Sequence, residues 1–431
     1  MRKIVFSFFL SLLFLSACSD NSDQVMFKTV NADLYFVSQD SAILLAERAE
    51  KSLEKMKGSI ASRCLNDRKV KNVEIVGPDI RSRSAIDNGV NSSLYIINYE
   101  DERGFAVVSS DKRLQPIYAV SDSGSLNIRD TLANKGLSVF FQSVQMDIAR
   151  TSSDSPVIVE GIDGQSCIIN AQAAPLIGTN ARKWGQEPPY NKYCPKISNK
   201  TAFVGCAPVA CGLIMSYYMW PRKITQLDYG YYDVALPWRS MKNGGNNDKV
   251  AFLFHFLGTP KLLNTKYSTN EDVGSVSRLD SIQSTFQKMG YSEPEPFKLF
   301  KSSDVCDILD DAPMGVSNND GTGPILVAAA VAGKKGAHIW VIDGYAKNPV
   351  YRVDGSVLRK TLFHCVWGDN DGLNNGYFYF DENGQLGGKA NYFEMEDTGN
   401  NDVGQGTWYK NLLYMTGFKK NLDVASGGVE I

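Results

Sequence analysis

Histidine is scarce in this sequence: His255, His338 and His364 are the three in 431 residues. None is spaced with a second histidine or a cysteine as zinc motifs require, so no metal and no cofactor is expected. An excess of one charge is also missing, with 45 basic residues against 47 acidic ones. Without a basic field to draw in phosphate backbones, nucleic acid is not an expected partner. No two cysteines stand as CxxC. No internal repeat and no low-complexity tract appears, which argues against a solenoid or a disordered chain.

Long apolar runs are lacking too. The longest, "IVFSFFLSLLFLSA", follows the basic "MRK" and is too short for an ordinary membrane span. A basic start and an apolar stretch ending in small residues read as an export signal. Leu15-Ser16-Ala17 before Cys18 resembles the lipobox of bacterial lipoproteins. That resemblance implies cleavage after residue 17, lipid on the Cys18 sulfur and a membrane anchor that is not a spanning helix. The expected location is the outer membrane, facing the periplasm or the cell surface, with release possible after maturation. Seven cysteines follow Cys18, an odd number, so at least one thiol is free unless it pairs between chains.

What is plentiful is aromatic: 20 Tyr and 21 Phe indicate strands and sizeable cores. The length suggests two or three domains. In the first part, "SAILLAERAEKSLEKMKG" puts Ala42, Leu45, Ala46, Ala49, Leu53 and Met56 on one helical face. "SLYIINYE" and "GFAVVSSD", joined by "DERG", read as a hairpin. "EGIDGQSCIINAQAAPLIG" is glycine-rich and aperiodic and reads as a linker. The expected division is a signal peptide over 1–17, a small α+β domain over 18–170 and a larger domain over 171–431. The larger one opens on an irregular loop, "KWGQEPPYNKYCP", and runs through helices. It ends in the strands "GPILVAAAVAG", "AHIWVIDGYA", "TLFHCVWG" and "GYFYFD", again an α+β pattern.

The chemistry concentrates in the larger part. In "VGCAPVACGLIMSYYMWP", Pro208 suits the first turn of a helix. Cys206 then heads that helix, where unpaired N–H groups and the dipole favour a thiolate. Cys211 lies a turn inside among apolar neighbours and reads as packing. A nucleophilic cysteine needs a base brought in from another segment. His338 stands where the turn "GKKG" meets an apolar strand, a place a substrate backbone can approach. His255 and His364 have apolar surroundings and read as structural. Lys334 and Lys335 read as solvated charges. "DNDGLNNG" lacks the EF-hand pattern and reads as a turn.

Four blocks, "WGQEPPYN", "VGCAPVACGLIMSYYMWP", "GAHIWVIDGY" and "FHCVWG…NNGYFYF", stand in the order seen in the streptopain family of papain-like cysteine peptidases, and the chain resembles that family over about 175–420. The first part resembles the family's propeptide, chiefly through "GFAVVSSDKRLQPIYAVSDSG". The resemblance implies a papain-like two-lobed domain behind a small α+β propeptide that inhibits it intramolecularly. It implies Cys206 as nucleophile and His338 as general base and acid. It implies that Gln186 donates its amide to the oxyanion together with the Cys206 N–H, and that Trp367 shields the histidine. The expected partners are protein or peptide substrates and the propeptide itself. The expected reaction proceeds through a thiolate–imidazolium pair and a thioester.

One position departs from the family. Val366 stands where an asparagine usually orients the histidine, and Asp369 or a backbone carbonyl is left to replace it. This motivates a second reading, a weakened homologue that binds peptides without cleaving them. A third reading, acyl transfer to an amine, would use the same thioester.

Overall fold

Alternating and continuous apolar runs from both parts of the chain build one antiparallel sheet. The computed structural model describes residues 35–56, 68–77, 93–127, 135–157, 170–226, 232–271, 273–292, 294–313, 319–330, 337–369, 372–386, 411–422 and 428–430. The export signal, the lipobox, Lys334, Lys335 and most of the expected linker lie outside the described residues. Among the described residues, no helix is long and apolar enough to cross a membrane.

The strands of this sheet are β1 (Val70–Val76), β2 (Leu94–Tyr99), β3 (Phe105–Ser109), β4 (Ile117–Ser121), β5 (Asn170–Ala173), β6 (Lys298–Leu299), β7 (Ile325–Ala330), β8 (Ala337–Tyr351), β9 (Val357–Val366), β10 (Gly376–Tyr379) and β11 (Leu413–Met415). Their order is β1-β2-β3-β4-β10-β9-β8-β7-β11-β6, with β5 also paired to β8. The expected hairpin is β2 and β3, paired from Leu94–Ser109 to Asn98–Phe105. Strands β2 to β4 are buried along their length, so both faces of this region are covered.

The first part and the larger part meet inside the sheet. β4 pairs antiparallel with β10, Gly376 opposite Ser121 and Phe378 opposite Ala119. The expected linker differs from its reading at one end, because Asn170–Ala173 forms β5 against β8. Glycine content hid a strand whose partner lies far along the chain.

Two helices belong to the first part. Helix α1 (Gln39–Met56) buries Ala42, Ala46, Ala49 and Leu53, with Leu45 partly buried, along the expected face. Helix α2 (Lys135–Arg150) buries Leu137, Phe140, Phe141, Val144 and Ile148. In the larger part, α3 (Cys206–Tyr218) is buried from Ala207 to Tyr218, which is why its sequence is apolar all round. It packs between further helices on one side and β8 on the other. The mixed helix-and-sheet class expected from the sequence is the one found.

Candidate active site

Helix α3 begins at Cys206, two residues ahead of the Pro208 that signalled it. The residue before it, Gly205, has φ 94°, a conformation that L side chains rarely adopt. A Cβ at that glycine would also stand 2.9 Å from the Ser275 carbonyl oxygen, so the chain passes close under Ser275. Gln186 lies beside this entry, its carbonyl accepting from the Val204 N–H at 3.0 Å.

Strand β8 carries His338 past the same point. The backbone N–H of Ile339 donates toward the Cys206 sulfur, which makes the strand and the helix N-terminus neighbours. The imidazole, however, is turned to the aromatic side. It stacks on Trp340 with centroids 5.9 Å apart at 14° and lies 6.3 Å from the Trp367 ring. His338 is 3% exposed, and its Nε2 has no hydrogen-bond partner. The backbone carbonyl of Trp367 faces the ring and supplies the orienting group that Val366 cannot. Trp367 is itself fully buried and fixed twice: its N–H donates to Asn375 Oδ1 and its Nε1–H to the Asn374 carbonyl, both at 3.0 Å. Asn375 in turn donates to the Arg182 carbonyl at 2.9 Å.

The first part reaches into this space. Gly136 packs against the Trp367 indole, and the Lys135 ammonium donates to the Val273 carbonyl at 2.6 Å. Helix α2 therefore sets its first turn between Val273 and Trp367. Burial beneath it disfavours the charged forms of Cys206 and His338. Burial pushes the Cys206 thiol up, against the Ile339 N–H and the Lys135 charge, with Asp369 adding to the rise. Burial, aided by Lys135, lowers His338 to about 3, while the Trp367 carbonyl opposes the shift. Burial thus works, for both groups, against the charged pair that the resemblance implies. Desolvation under a covering segment outweighs the helix N-terminus, whose field is a surface-scale effect of about 1 kcal/mol.

A second polar cluster ties the two parts together. His364 Nδ1 and Asp343 Oδ1 lie 2.5 Å apart, both fully buried, and Asp343 Oδ2 accepts from the Ile177 N–H at 2.9 Å. The other imidazole nitrogen faces Asp122 Oδ2 at 3.3 Å and Arg182 Nη1 at 3.2 Å. His364 is structural, as read. Farther along β9 and β10, Asp147 of α2 accepts from Lys360 at 3.0 Å and Tyr379 at 3.2 Å, both in the larger part. Arg150 pairs with Asp381.

His255, expected in a core, is half-buried with an enclosed, unpaired Nδ1. Cys211 is buried, as read. Cys194, Cys206, Cys211, Cys306 and Cys365 are all free thiols. Among the described residues, no group of His, Cys, Asp and Glu has the arrangement of a metal site.

Residues 184–378 match the model of the Peptidase C10 family, a span that holds Gln186, Cys206, His338, Trp367 and Asn375. The chain carries a domain that matches the C10, or streptopain, family of cysteine peptidases. Residues 35–148 match the Spi protease inhibitor model, so the covering segment is an inhibitory pro-segment and the whole is a zymogen. Among solved structures the chain is similar to a prointerpain A fragment of Prevotella intermedia, at 18% identity over 74% of this chain and 94% of that one, TM-score 0.47. It is also similar to the active wild-type interpain A cysteine protease of Prevotella intermedia, at 19% identity over 56% and 93%, TM-score 0.37. No curated protein matches the chain.

Sequence reading named Cys206, His338, Gln186 and Trp367 but missed Lys135, Gly136, Asp122 and Asn375. Helix α2 was readable, since Leu137, Phe140, Phe141, Val144 and Ile148 recur at helical spacing. Where its first turn would dock was not, because no local pattern encodes a contact across more than a hundred residues.

Proposed function

We propose that this peptidase cleaves internal peptide bonds through Cys206 and His338. The observation that supports this reading is the Ile339 N–H aimed at the Cys206 sulfur, which sets the two residues side by side. Once the pro-segment leaves, the imidazole turns from Trp340 toward the thiol and accepts its proton. The sulfur attacks the scissile carbonyl, and the charge on oxygen is taken by the Cys206 N–H and the Gln186 side-chain amide. His338 returns the proton to the departing amine, leaving a thioester. Water, deprotonated by the same ring, releases the acid and restores the thiol. Trp367 walls the histidine from solvent and holds it through its own carbonyl. That carbonyl is a substitute for the asparagine that Val366 replaces, and it supports the peptidase reading over the inactive binder.

Maturation would cut ahead of β5, which pairs with β8 and stays with the peptidase. Outside the fold, the lipobox supports export and anchoring by lipid on Cys18, with the peptidase facing the periplasm or cell surface and freed by maturation. Incorporation of a labelled fatty acid, lost in Cys18→Ala, tests the anchor.

The deciding experiment compares the full-length wild-type chain with Cys206→Ala under reducing conditions. Shortening of the wild type alone is the expected result. An inert wild type, unlabelled by a thiol-directed epoxide even after the pro-segment is removed by added protease, leaves the binding-only reading. Amine incorporation without hydrolysis points to acyl transfer.

A further inference from the structure

At the end of β4 the pro-segment lies extended along residues 372–375 of the larger part. Ser121 Oγ donates to the Asn375 carbonyl at 3.1 Å, and the Asp122 N–H donates to the same carbonyl at 2.7 Å. The Asn374 N–H donates to the Ser123 carbonyl at 3.2 Å, and Ser123 Oγ donates to the Gly372 carbonyl at 3.1 Å. Gly124, at φ 83°, then turns the chain back to Glu102. On the larger part every one of these groups is main chain, so they hold an extended segment without reading its sequence.

Asp122 is the exception. Its Oδ2 stands 3.3 Å from His364 Nε2 and 3.6 Å from Arg182 Nη1. The receiving side chains are fixed from behind. Asp343 holds the other imidazole nitrogen, and Tyr377, opposite His364 in β10, sets its ring edge-on to the imidazole at 5.0 Å. His364 and Tyr377 are fully buried, and the Arg182 side chain is 15% exposed.

This pocket holds more donors than Asp122 uses. Arg182 Nε and the Tyr377 hydroxyl are both enclosed without a hydrogen-bond partner. A pocket shaped for its pro-segment alone would pair them. A carboxylate on a longer side chain has more reach toward them, so the pro-segment is not the occupant the pocket suits best. Departure of residues 121–124 opens the pocket beside the reactive centre, because Asn375 holds Trp367 and the Trp367 ring lies 6.3 Å from that of His338.

We propose that the mature peptidase binds an extended segment of its protein substrates along residues 372–375, with an aspartate or glutamate of that segment seated on Arg182, His364 and Tyr377. The main chain supplies the grip and the pocket supplies the choice of acidic stretches, away from the scissile bond. A neutral side chain there leaves the guanidinium without its anion, and a basic one faces it. The inference rests on the peptidase reading above.

The test uses the self-processed wild-type chain, freed of its pro-segment. With Cys206 capped by a thiol-directed epoxide, a labelled peptide of residues 117–124 serves as the probe. Its Asp122→Glu form should bind at least as tightly as the parent, and its Asp122→Asn form about tenfold or more weaker. Arg182→Gln or Tyr377→Phe in the enzyme should narrow that gap. Equal binding of the parent and Asp122→Asn peptides overturns the pocket. The uncapped enzyme is then given a library of long random peptides. Acidic residues should be enriched severalfold at one fixed distance from the cut, and less so with Arg182→Gln. A library cut with no acidic enrichment away from the scissile bond overturns the inference and leaves the peptidase standing. A processed chain that cuts nothing overturns both.

Discussion

Gly136 of the pro-segment lies flat on the indole of Trp367: a Cβ at 136 would stand 2.3 Å from Trp367 Cε3. Trp367 cannot retreat, being fully buried and bonded through both its N–H groups to residues 374 and 375. Gly136→Ala should therefore lift the first turn of α2 at an overpacking cost of about 1–3 kcal/mol. The full-length variant should self-process at least several times faster than wild type, followed by the loss of full-length band with time.

His338 gives the precursor an acid sensitivity. Its folded value of about 3 is far below the 6.5 of a free imidazole. The unfolded or released ring takes up a proton that the sealed ring refuses. The contribution to stability is complete above about pH 6.5 and is lost as pH falls toward 3, at up to about 1.4 kcal/mol per pH unit. Denaturation midpoints of the Cys206→Ala chain should fall below pH 6.5 faster than those of Cys206→Ala with His338→Gln.

Asn375 should matter although it touches no substrate. Asn375→Ala orphans the Trp367 N–H and the Arg182 carbonyl, each worth about 1–3 kcal/mol when buried without a partner. Asn375→Asp keeps the acceptor for Trp367 and loses only the donor to Arg182. The alanine variant should lose more turnover than the aspartate variant after processing, with KM little changed, because Trp367 sets His338 and not the substrate.

Removing one member of the buried Asp343–His364 pair should be costly. Asp343→Ala strands an imidazole beside Arg182 and leaves the Ile177 N–H unpaired, an effect of about 3–5 kcal/mol. A lowered denaturation midpoint in the Cys206→Ala background would register it independently of catalysis.

The described thiols should differ sharply in reactivity. Burial raises Cys194 to about 12 and Cys306 to about 11, and also raises Cys211 and Cys365. Iodoacetamide at neutral pH should modify Cys206 in the processed chain and spare these four, with little labelling of Cys206 in the precursor. Peptide mapping by mass spectrometry distinguishes the sites.

Several of these elements were legible in the sequence for physical reasons. The apolar face of α1, the hairpin of β2 and β3 and the strands after residue 320 follow from local periodicity. The placement of Cys206 at the head of its helix followed from Pro208, and Gly205 makes the turn into it. Residues whose role depends on distant docking were not legible. Asp122 reads as an ordinary loop carboxylate until β4 pairs with β10 and brings it to His364. Asn375 looks like part of a polar turn, and its brace on Trp367 appears only when that turn folds back over eight residues. The burial of Cys206 was hidden for a related reason: the helix that supports a thiolate was visible, and the segment that dehydrates it was not.

The pairing of β4 with β10 makes latency more than the closing of a lid. Departure of the inhibitor must unzip a ladder that crosses the middle of the sheet, and it leaves β10 as a bare rim with the aromatic run Tyr377-Phe378-Tyr379 along it. Such margins invite foreign strands. Activation would then create a molecule that is both competent and adhesive, so the freed enzyme should clump in solution at concentrations the intact precursor tolerates.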